Sequence, residues 1–388
     1  MSAHRLTVRT VETADAFAAL EPAWNDLLRR SGHATPFLSF DWFRCCWGAL
    51  PPDRPPVVVL VVDAGTLVAI VPMMQLTHHV RRLPVRGLAM LESPDTPMAD
   101  IITAGHPEPV VEALLDHFTR DGRWHSLMLQ RLPAASPTLK ALEACLTDRL
   151  PWRRVGVVSS PYLTIEGTWE AFFRSRSQRF RKTIRNVENR LERAGRVTIE
   201  EHRRLDPAGP VFAEALEVAR RSWTADEGVS MATMARMPEF FAALTRVAGE
   251  RGWLALWLLR LDGRPIAMEY QLQADGRVHA LRASYDESYR DLSPGSALNV
   301  AIVRALFERG DVEEYDMGPG LNDYKLRWAS AVHETVTVRA YGRSAYARLV
   351  HGLDDVVVPA ARRVKRWLTD KLGNKAAAVP ARPEAVDR

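Results

Sequence analysis

Between Tyr285 and Trp328 the chain gathers the residue types that anion binding and acid–base work require. Ser293-Pro294-Gly295 stands before an apolar run. A Pro-Gly turn that opens a helix offers unpaired backbone N–H groups to an anion such as a pyrophosphate. Arg290, Ser296 and Ala297 extend this candidate donor loop. Downstream, Asp316-Met317-Gly318-Pro319-Gly320 is followed by Asn322-Asp323-Tyr324-Lys325. A phenol, an ammonium group and a carboxylate thus cluster where one strand ends. Acyl transfer to an amine needs a neutral nucleophile, an oxyanion stabiliser and a proton for the leaving group. Tyr324 is the candidate general acid, and Lys325 stabilises an oxyanion or a phosphate. Glu269, between Met268 and Tyr270 in an apolar strand, is expected to have a raised pKa and to relay a proton. Asp316 either orients Tyr324 or the substrate, or caps the helix that follows.

Further residues line the expected acceptor side. Arg282 could pair with a substrate carboxylate or phosphate, and Trp223 and Tyr285 could wall the acceptor cleft. Arg181 belongs to a strongly basic helix read from Phe172 to Ala194, whose Phe180, Ile184, Val187 and Leu191 form one apolar stripe. That helix reads as a binder of an anionic acceptor, as a grip on tRNA, or as a solvated linker. In the first half Asp95 and Asp100 stand out, with no Tyr-Lys pair beside them.

The elements that position these groups follow from pattern. Val57–Val62, Asp63-Ala64-Gly65 and Leu67–Val71 read as a hairpin; so do Trp253–Leu259, Asp262-Gly263 and Pro265–Met268. Helical segments rich in Phe and Trp precede each, which points to a domain duplicated at a period of about 200 residues. In the second half the order is β-β-β-α-β-α-β: strands near 253–261, 264–272 and 278–284, a helix at 296–308, a strand at 312–317, a short helix at 322–329 and a strand at 335–341. The fold class is α/β, an α+β mixed sheet with helices on its faces.

Composition sets the outer bounds. The 388 residues are 47% hydrophobic and 26% charged, in the range of a soluble globular protein of two or three domains. A formal charge of +5 leans towards anionic partners. Cys45, Cys46 and Cys145 make no disulfide framework, and no Cys/His spacing suggests zinc or another metal. Met1–Thr10 lacks the apolar core of a signal peptide, and the longest aliphatic run, Val57–Val62, falls far short of the ~20 residues of a spanning helix. The expected location is the cytoplasm. A basic helix at Val356–Leu372, with Arg362, Arg363, Lys365, Arg366 and Trp367, offers peripheral contact with the inner face of a membrane.

The order of these motifs resembles the GNAT acyltransferase superfamily, and within it the CelD/BcsL-type or BioF2-like acetyltransferases, distant relatives of the Fem peptidyltransferases. The resemblance rests on Ser293-Pro294-Gly295 before a helix and on Asp316, Gly318, Gly320, Tyr324 and Lys325. Ser177, Arg181, Asn186 and Gly195 add to it, as does Thr35-Pro36-Phe37 with Ser39 and Trp42. It spans residues 5 to 345. It implies tandem GNAT-like domains: 1–155, acceptor-side and without chemistry of its own; 156–345, the acyltransferase; and 346–388, a basic helix and tail. It also implies acetyl-CoA or a longer acyl-CoA as donor, an amine-bearing small molecule as acceptor, and a role in polysaccharide or cell-envelope biosynthesis. The segment Arg290–Ala297 departs from the usual donor turn, having one glycine. An acyl carrier protein or an aminoacyl-tRNA therefore stays open as donor, nucleic acid being otherwise disfavoured. A non-catalytic scaffold is the rival from a different class.

Overall fold

The computed structural model describes residues 6–33 and 35–354; the basic helix expected at Val356–Leu372 lies outside the described residues. The first half runs β1 (Thr7–Val11), α1 (Ala14–Ala18), α2 (Glu21–Ser31), α3 (Phe40–Ala49), β2 (Pro56–Asp63), β3 (Thr66–Val80), β4 (Leu83–Met90), β5 (Ile102–Thr103), α4 (Pro107–Asp121), β6 (Ser126–Pro133) and α5 (Pro137–Thr147). A long strand, β7 (Trp152–Thr164), leads to α6 (Trp169–Ser175), α7 (Gln178–Ala194), β8 (Val197–His202), α8 (Pro210–Arg220), α9 (Trp223–Asp226) and α10 (Met237–Arg251). Then come β9 (Leu254–Leu261), β10 (Arg264–Ala274), β11 (Arg277–Tyr285), α11 (Pro294–Arg309), β12 (Glu314–Asp316), α12 (Asp323–Leu326), β13 (Ala331–Tyr341) and α13 (Ala345–Gly352).

All strands join one sheet in the order β1-β2-β3-β4-β6-β13-β7-β12-β11-β10-β9-β8, with β5 beside β3. The expected hairpins form. Ala64-Gly65, Asp262-Gly263 and Asp275-Gly276 all have positive φ, the geometry a two-residue turn needs to follow the twist of its strands. The two halves repeat one plan: antiparallel strands, a helix, then a strand parallel to the last (β4 with β6, β11 with β12). Their closing strands are exchanged. β13, from the end of the described chain, pairs with β6 of the first half, and β7 pairs with β12 of the second. β7 and β13 pair with each other between them. The expected domain boundary at residue 155 falls within β7.

The basic stretch at 172–194 is two helices. Ser177 accepts a hydrogen bond from the Phe180 amide and caps α7, while Arg176 at the C-cap of α6 is extended. An extended residue and a capping serine end one helix and start the next. Phe180, Ile184, Val187 and Leu191 are buried, as the stripe predicts.

One apolar core crosses the seam between the halves: Trp24, Phe37, Trp42 and Phe43 cluster with Phe212, Phe240, Phe241 and Tyr270. On the opposite face of the second half, α6, α7 and α11 cover another core that holds Trp169, Phe180, Leu298 and Tyr315. Phe37 is fully buried and lies edge-on to both Trp42 and His279, each with centroids 4.9 Å apart. Because these contacts join the halves, urea unfolding should show a single transition by both fluorescence and circular dichroism. Phe37→Ala should lower its free energy by about 3–5 kcal/mol. Two separable transitions, with only one displaced by the substitution, would contradict a shared core.

Candidate active site

β11 and β12 run parallel for three residue pairs only, Arg277 with Glu314, Val278 with Tyr315 and His279 with Asp316. Beyond them the strands part. β11 continues to Tyr285 on β10, with a register shift beside Tyr270 and Gln271. The chain after β12 instead follows β7: the Met317 amide bonds the Pro161 carbonyl and the Gly320 amide the Ser159 carbonyl. Gly318, at φ +74°, makes the departure possible. A Cβ there would lie 2.8 Å from the Ala280 carbonyl oxygen of β11, so no other residue fits. The result is a gap at the carboxyl ends of two parallel strands.

The first half has the equivalent gap between β4 and β6, but it is filled. The Met90 amide bonds Gln130 Oε1 at 2.9 Å, and the Ala99 amide bonds the Arg131 carbonyl at 3.0 Å. The 91–101 segment therefore occupies the space that stays open in the second half.

Glu269 lies under the open gap, 5% exposed. Its Oε1 accepts from the Tyr315 hydroxyl at 2.5 Å and from Gln271 Nε2 at 2.7 Å; Trp257 Nε1 donates to Gln271 Oε1. Burial pushes the Glu269 carboxyl above its ordinary value, and these donors with the charge of Lys325 hold the rise back. Tyr315 is itself bonded by Asn299 Nδ2 from α11 at 3.3 Å. Asn299 is 8% exposed, and its Oδ1 is a buried acceptor with no hydrogen-bond partner, on the residue whose Nδ2 bonds Tyr315.

Tyr324 has half its surface open to solvent. Crowding around its phenol and the nearby Glu269 carboxylate raise its pKa to about 12. Lys325 is buried, and its Nζ donates to the carbonyls of Gly318 (3.1 Å) and Pro319 (2.8 Å). Burial lowers its pKa, opposed by Asp316 and Glu269. The ammonium group thus clamps the turn. Asp316 caps that same turn and not α12: its Oδ1 accepts from the Gly318 amide at 2.7 Å. Its Oδ2 faces His279 Nδ1 at 3.6 Å, on the side of the sheet that looks into the seam.

The candidate donor loop lies at the start of α11. Ser293 is left-handed at φ +56°, and no side chain caps the helix. The Gly295 Cα hydrogen side faces Tyr285, whose ring would stand 3.3 Å from an added Cβ. Tyr285, expected on the acceptor wall, therefore stands against the start of α11, the candidate donor loop. Arg290 is exposed and faces Glu287. The arginine that reaches the loop is Arg190 of α7, 3.3 Å from Ser293 Oγ; Arg181 instead bonds the Arg174 carbonyl at the far end of that helix. Arg282 spans the seam. It pairs with Asp95 (2.5 and 3.1 Å) and donates to the Val229 carbonyl (2.7 Å). Its Nε and Nη2 hold the halves together through Asp95, and its Nη1 is taken by a carbonyl of the second half. Trp223 is 47% exposed on α9, close to the segment after β11, where the Glu287 amide bonds the Arg221 carbonyl. Asp100 bonds Ser136 and Thr138 at the start of α5, within the first half.

Tyr315, Asn299, Gln271 and Arg190 were not among the residues singled out from sequence. The polar Gln271 two positions from Glu269 on one strand face, and Asn299 inside an apolar helix, were the available signals. Among the described residues no group of three or more His, Cys, Asp or Glu could hold a metal ion, and no helix is long and apolar enough to cross a membrane.

Residues 178–326 match the family described as acetyltransferase (GNAT) domain. Sequence comparison with curated proteins gives no match. Among solved structures the chain resembles FemX (TM-score 0.55, 12% identity, 88% of this chain and 99% of that one). It also resembles the C-terminal domain of a putative lysylphosphatidylglycerol synthetase from Agrobacterium fabrum (0.52, 14%, 88% and 96%). A third likeness is to a tandem GNAT protein from the clavulanic acid biosynthesis pathway (0.50, 11%, 88% and 100%). At such identities the likeness is one of fold. Residues 178–326 thus resemble a GNAT acetyltransferase domain, and the chain as a whole shares the tandem fold of these structures.

The raised pKa of Glu269 has a consequence for stability. Below about pH 4 the carboxyl is protonated in both folded and unfolded chains. As pH rises past the unfolded value, the unfolded chain loses this proton first, so the group costs stability with increasing pH. Glu269→Gln removes that cost. Its stability relative to wild type should grow from pH 4.5 to 7.5 in urea titrations; a difference that shrinks over that range would refute the burial argument.

Proposed function

We propose that the chain transfers an acyl group from a thioester donor to an amine at the gap between β11 and β12. The observation that carries this reading is Glu269, a buried carboxyl bonded to Tyr315 beneath an open strand gap, with Tyr324 at its mouth. The donor's phosphate is held by the amides at the uncapped start of α11, with Arg190 beside them. The arm runs down α11, where the free Asn299 Oδ1 accepts an amide N–H from it. The amine enters from the seam.

Attack on the thioester carbonyl forms the N–C bond and breaks the C–S bond. The amine must shed a proton, and Glu269 takes it through the hydroxyls of Tyr315 and Tyr324. A carboxyl raised by burial is a better base for this than an exposed one. Tyr324 remains a phenol throughout the physiological range, since its pKa is about 12. A thiol near pKa 8.5 leaves without full protonation, so Tyr324 serves as a hydrogen-bond donor to the departing sulfur. Lys325 and Asp316 hold the Gly318 turn and keep the gap open. The acceptor is an amine on a sugar or amino-acid derivative, consistent with polysaccharide or envelope modification.

A second reading has one specific observation in its favour. A phenol at about 12 matches an oxygen leaving group better than a sulfur one. This suits an aminoacyl ester on tRNA as donor, and transfer of an amino acid is what the name lysylphosphatidylglycerol synthetase says of one structural neighbour.

Both readings are tested by initial rates with one acyl group offered as thioester and as oxygen ester. Glu269→Gln should reduce kcat roughly 10²–10⁴-fold with either donor. Tyr324→Phe should reduce thioester transfer roughly 10²-fold. Rates within twofold of wild type for both variants would remove the proposed site. A Tyr324→Phe loss confined to the oxygen ester would select the second reading.

A further inference from the structure

The basic helix α7 has a use that catalysis does not explain. Its apolar stripe is buried against α6 and α11. The opposite face carries Arg179, Lys182, Arg185, Arg190 and Arg193, all exposed, interleaved with Asn186 and Asn189. Among the acidic residues of α7, Glu188 is taken by Arg304 at 2.7 Å, and Glu192 is exposed at the border of the row. From Arg179 to Arg193 the row is about 21 Å long at 1.5 Å per residue. Its C-terminal part meets the donor loop, with Arg190 Nη2 against Ser293 Oγ.

We propose that this row docks an acidic acyl carrier protein whose phosphopantetheine arm enters the gap at α11. The inference rests on the thioester reading and deepens it by naming the donor's carrier. A single phosphodiester joins such an arm to its protein. The start of α11 and Arg190 suit one phosphate group, and the orphaned Asn299 Oδ1 suits an amide of the arm. The rest of the row extends well past any phosphate at that loop, so it needs a partner of macromolecular size. Acidic side chains on a partner helix repeat at the same i, i+3 and i, i+4 spacing as the cations of α7. The exposed residues of this face include no aromatic on which a nucleic-acid base could stack, the neighbouring half-buried Phe173 ring being covered by Arg185, and no apolar residue to enter a lipid surface. In the reaction the N–C bond forms, the C–S bond breaks, and the thiol stays on the carrier's arm.

The test compares one acyl group on a purified holo acyl carrier protein and on CoA, using wild type and Arg179→Glu/Lys182→Glu. These positions lie in the first two turns of α7, about 16 Å and about 12 Å along the helix from Arg190. Acidic residues there favour the helix, so folding should persist. The kcat/KM for the carrier-borne donor should fall at least tenfold in the variant and fall with added salt in wild type. With acyl-CoA it should change less than twofold. Fluorescence anisotropy with apo carrier and with a bulk tRNA pool supplies a readout independent of turnover. If neither donor is turned over but the apo carrier binds in a charge-dependent way, the thioester reading fails and the docking surface stands. Equal effects on both donors, or no binding of the carrier by wild type, would overturn the proposal. So would charge-dependent binding of tRNA alone, which would assign the row to nucleic acid.

Discussion

The brevity of the β11–β12 pairing governs this molecule. Three paired residues fix the strands in parallel, and the pairing stops there: Met317 turns to β7, and Gly318 lies under the Ala280 carbonyl. A parallel pair left open at its carboxyl ends exposes backbone and side chains that an unbroken sheet would bury. Every group with chemical potential in the second half lies around that opening: Glu269 below it, Tyr324 at its mouth, the start of α11 beside it. Lys325 and Asp316 are invested in the turn itself, one binding its carbonyls and the other its amide. Two charges spent on backbone are a sizeable commitment in a buried site, and they are understandable only if the shape of the gap matters.

The first half shows what happens without that commitment. Its own parallel pair, β4 and β6, is just as short, yet Gln130 and the 91–101 segment close the space. The same supersecondary plan thus gives one open gap and one filled one. The filled half contributes in another way. It sends Phe37 to His279 and Asp95 to Arg282, both on β11. It also exchanges its closing strand with the second half. β12, which leads into the Gly318 turn, is therefore braced by β7, and its parallel partner β11 by residues of the first half. Rigid support of this kind is what a site needs to hold reacting groups within a fraction of an ångström.

Much of this was legible in the sequence, for reasons that are local. Asp262-Gly263 and Ala64-Gly65 announce hairpins because few residues tolerate positive φ. The apolar stripe of α7 follows from its period, and the Pro-Gly start of α11 from the chemistry of helix ends. Glu269 stood out because a carboxylate in an apolar strand must have a reason. What escaped was non-local. Nothing in β7 or β13 tells which half each will join, since pairing across at least 150 residues, as Glu314 with Thr164, leaves no sequence period. Tyr315 looked like any strand aromatic until α11 brought Asn299 to its hydroxyl. Arg282 read as a ligand for substrate because its partner Asp95 lies 187 residues away. Arg181 and Arg190 were indistinguishable on a helix rich in arginine; only the packing of α7 on α11 separates the one at the start of α11 from the one far from it.

The central claim is that an activated acyl donor is held at the start of α11 beside the open gap. Thermal unfolding with and without acyl-CoA, in wild type and in Gly295→Glu, tests it most directly. A ligand that binds only the folded chain raises its midpoint. A glutamate at Gly295 would push against Tyr285 and put a carboxylate where the phosphate belongs. Wild type should be stabilised, increasingly with ligand concentration, while the folded variant should show no shift. An equal shift in both proteins would contradict the account, because the donor would then be bound somewhere else.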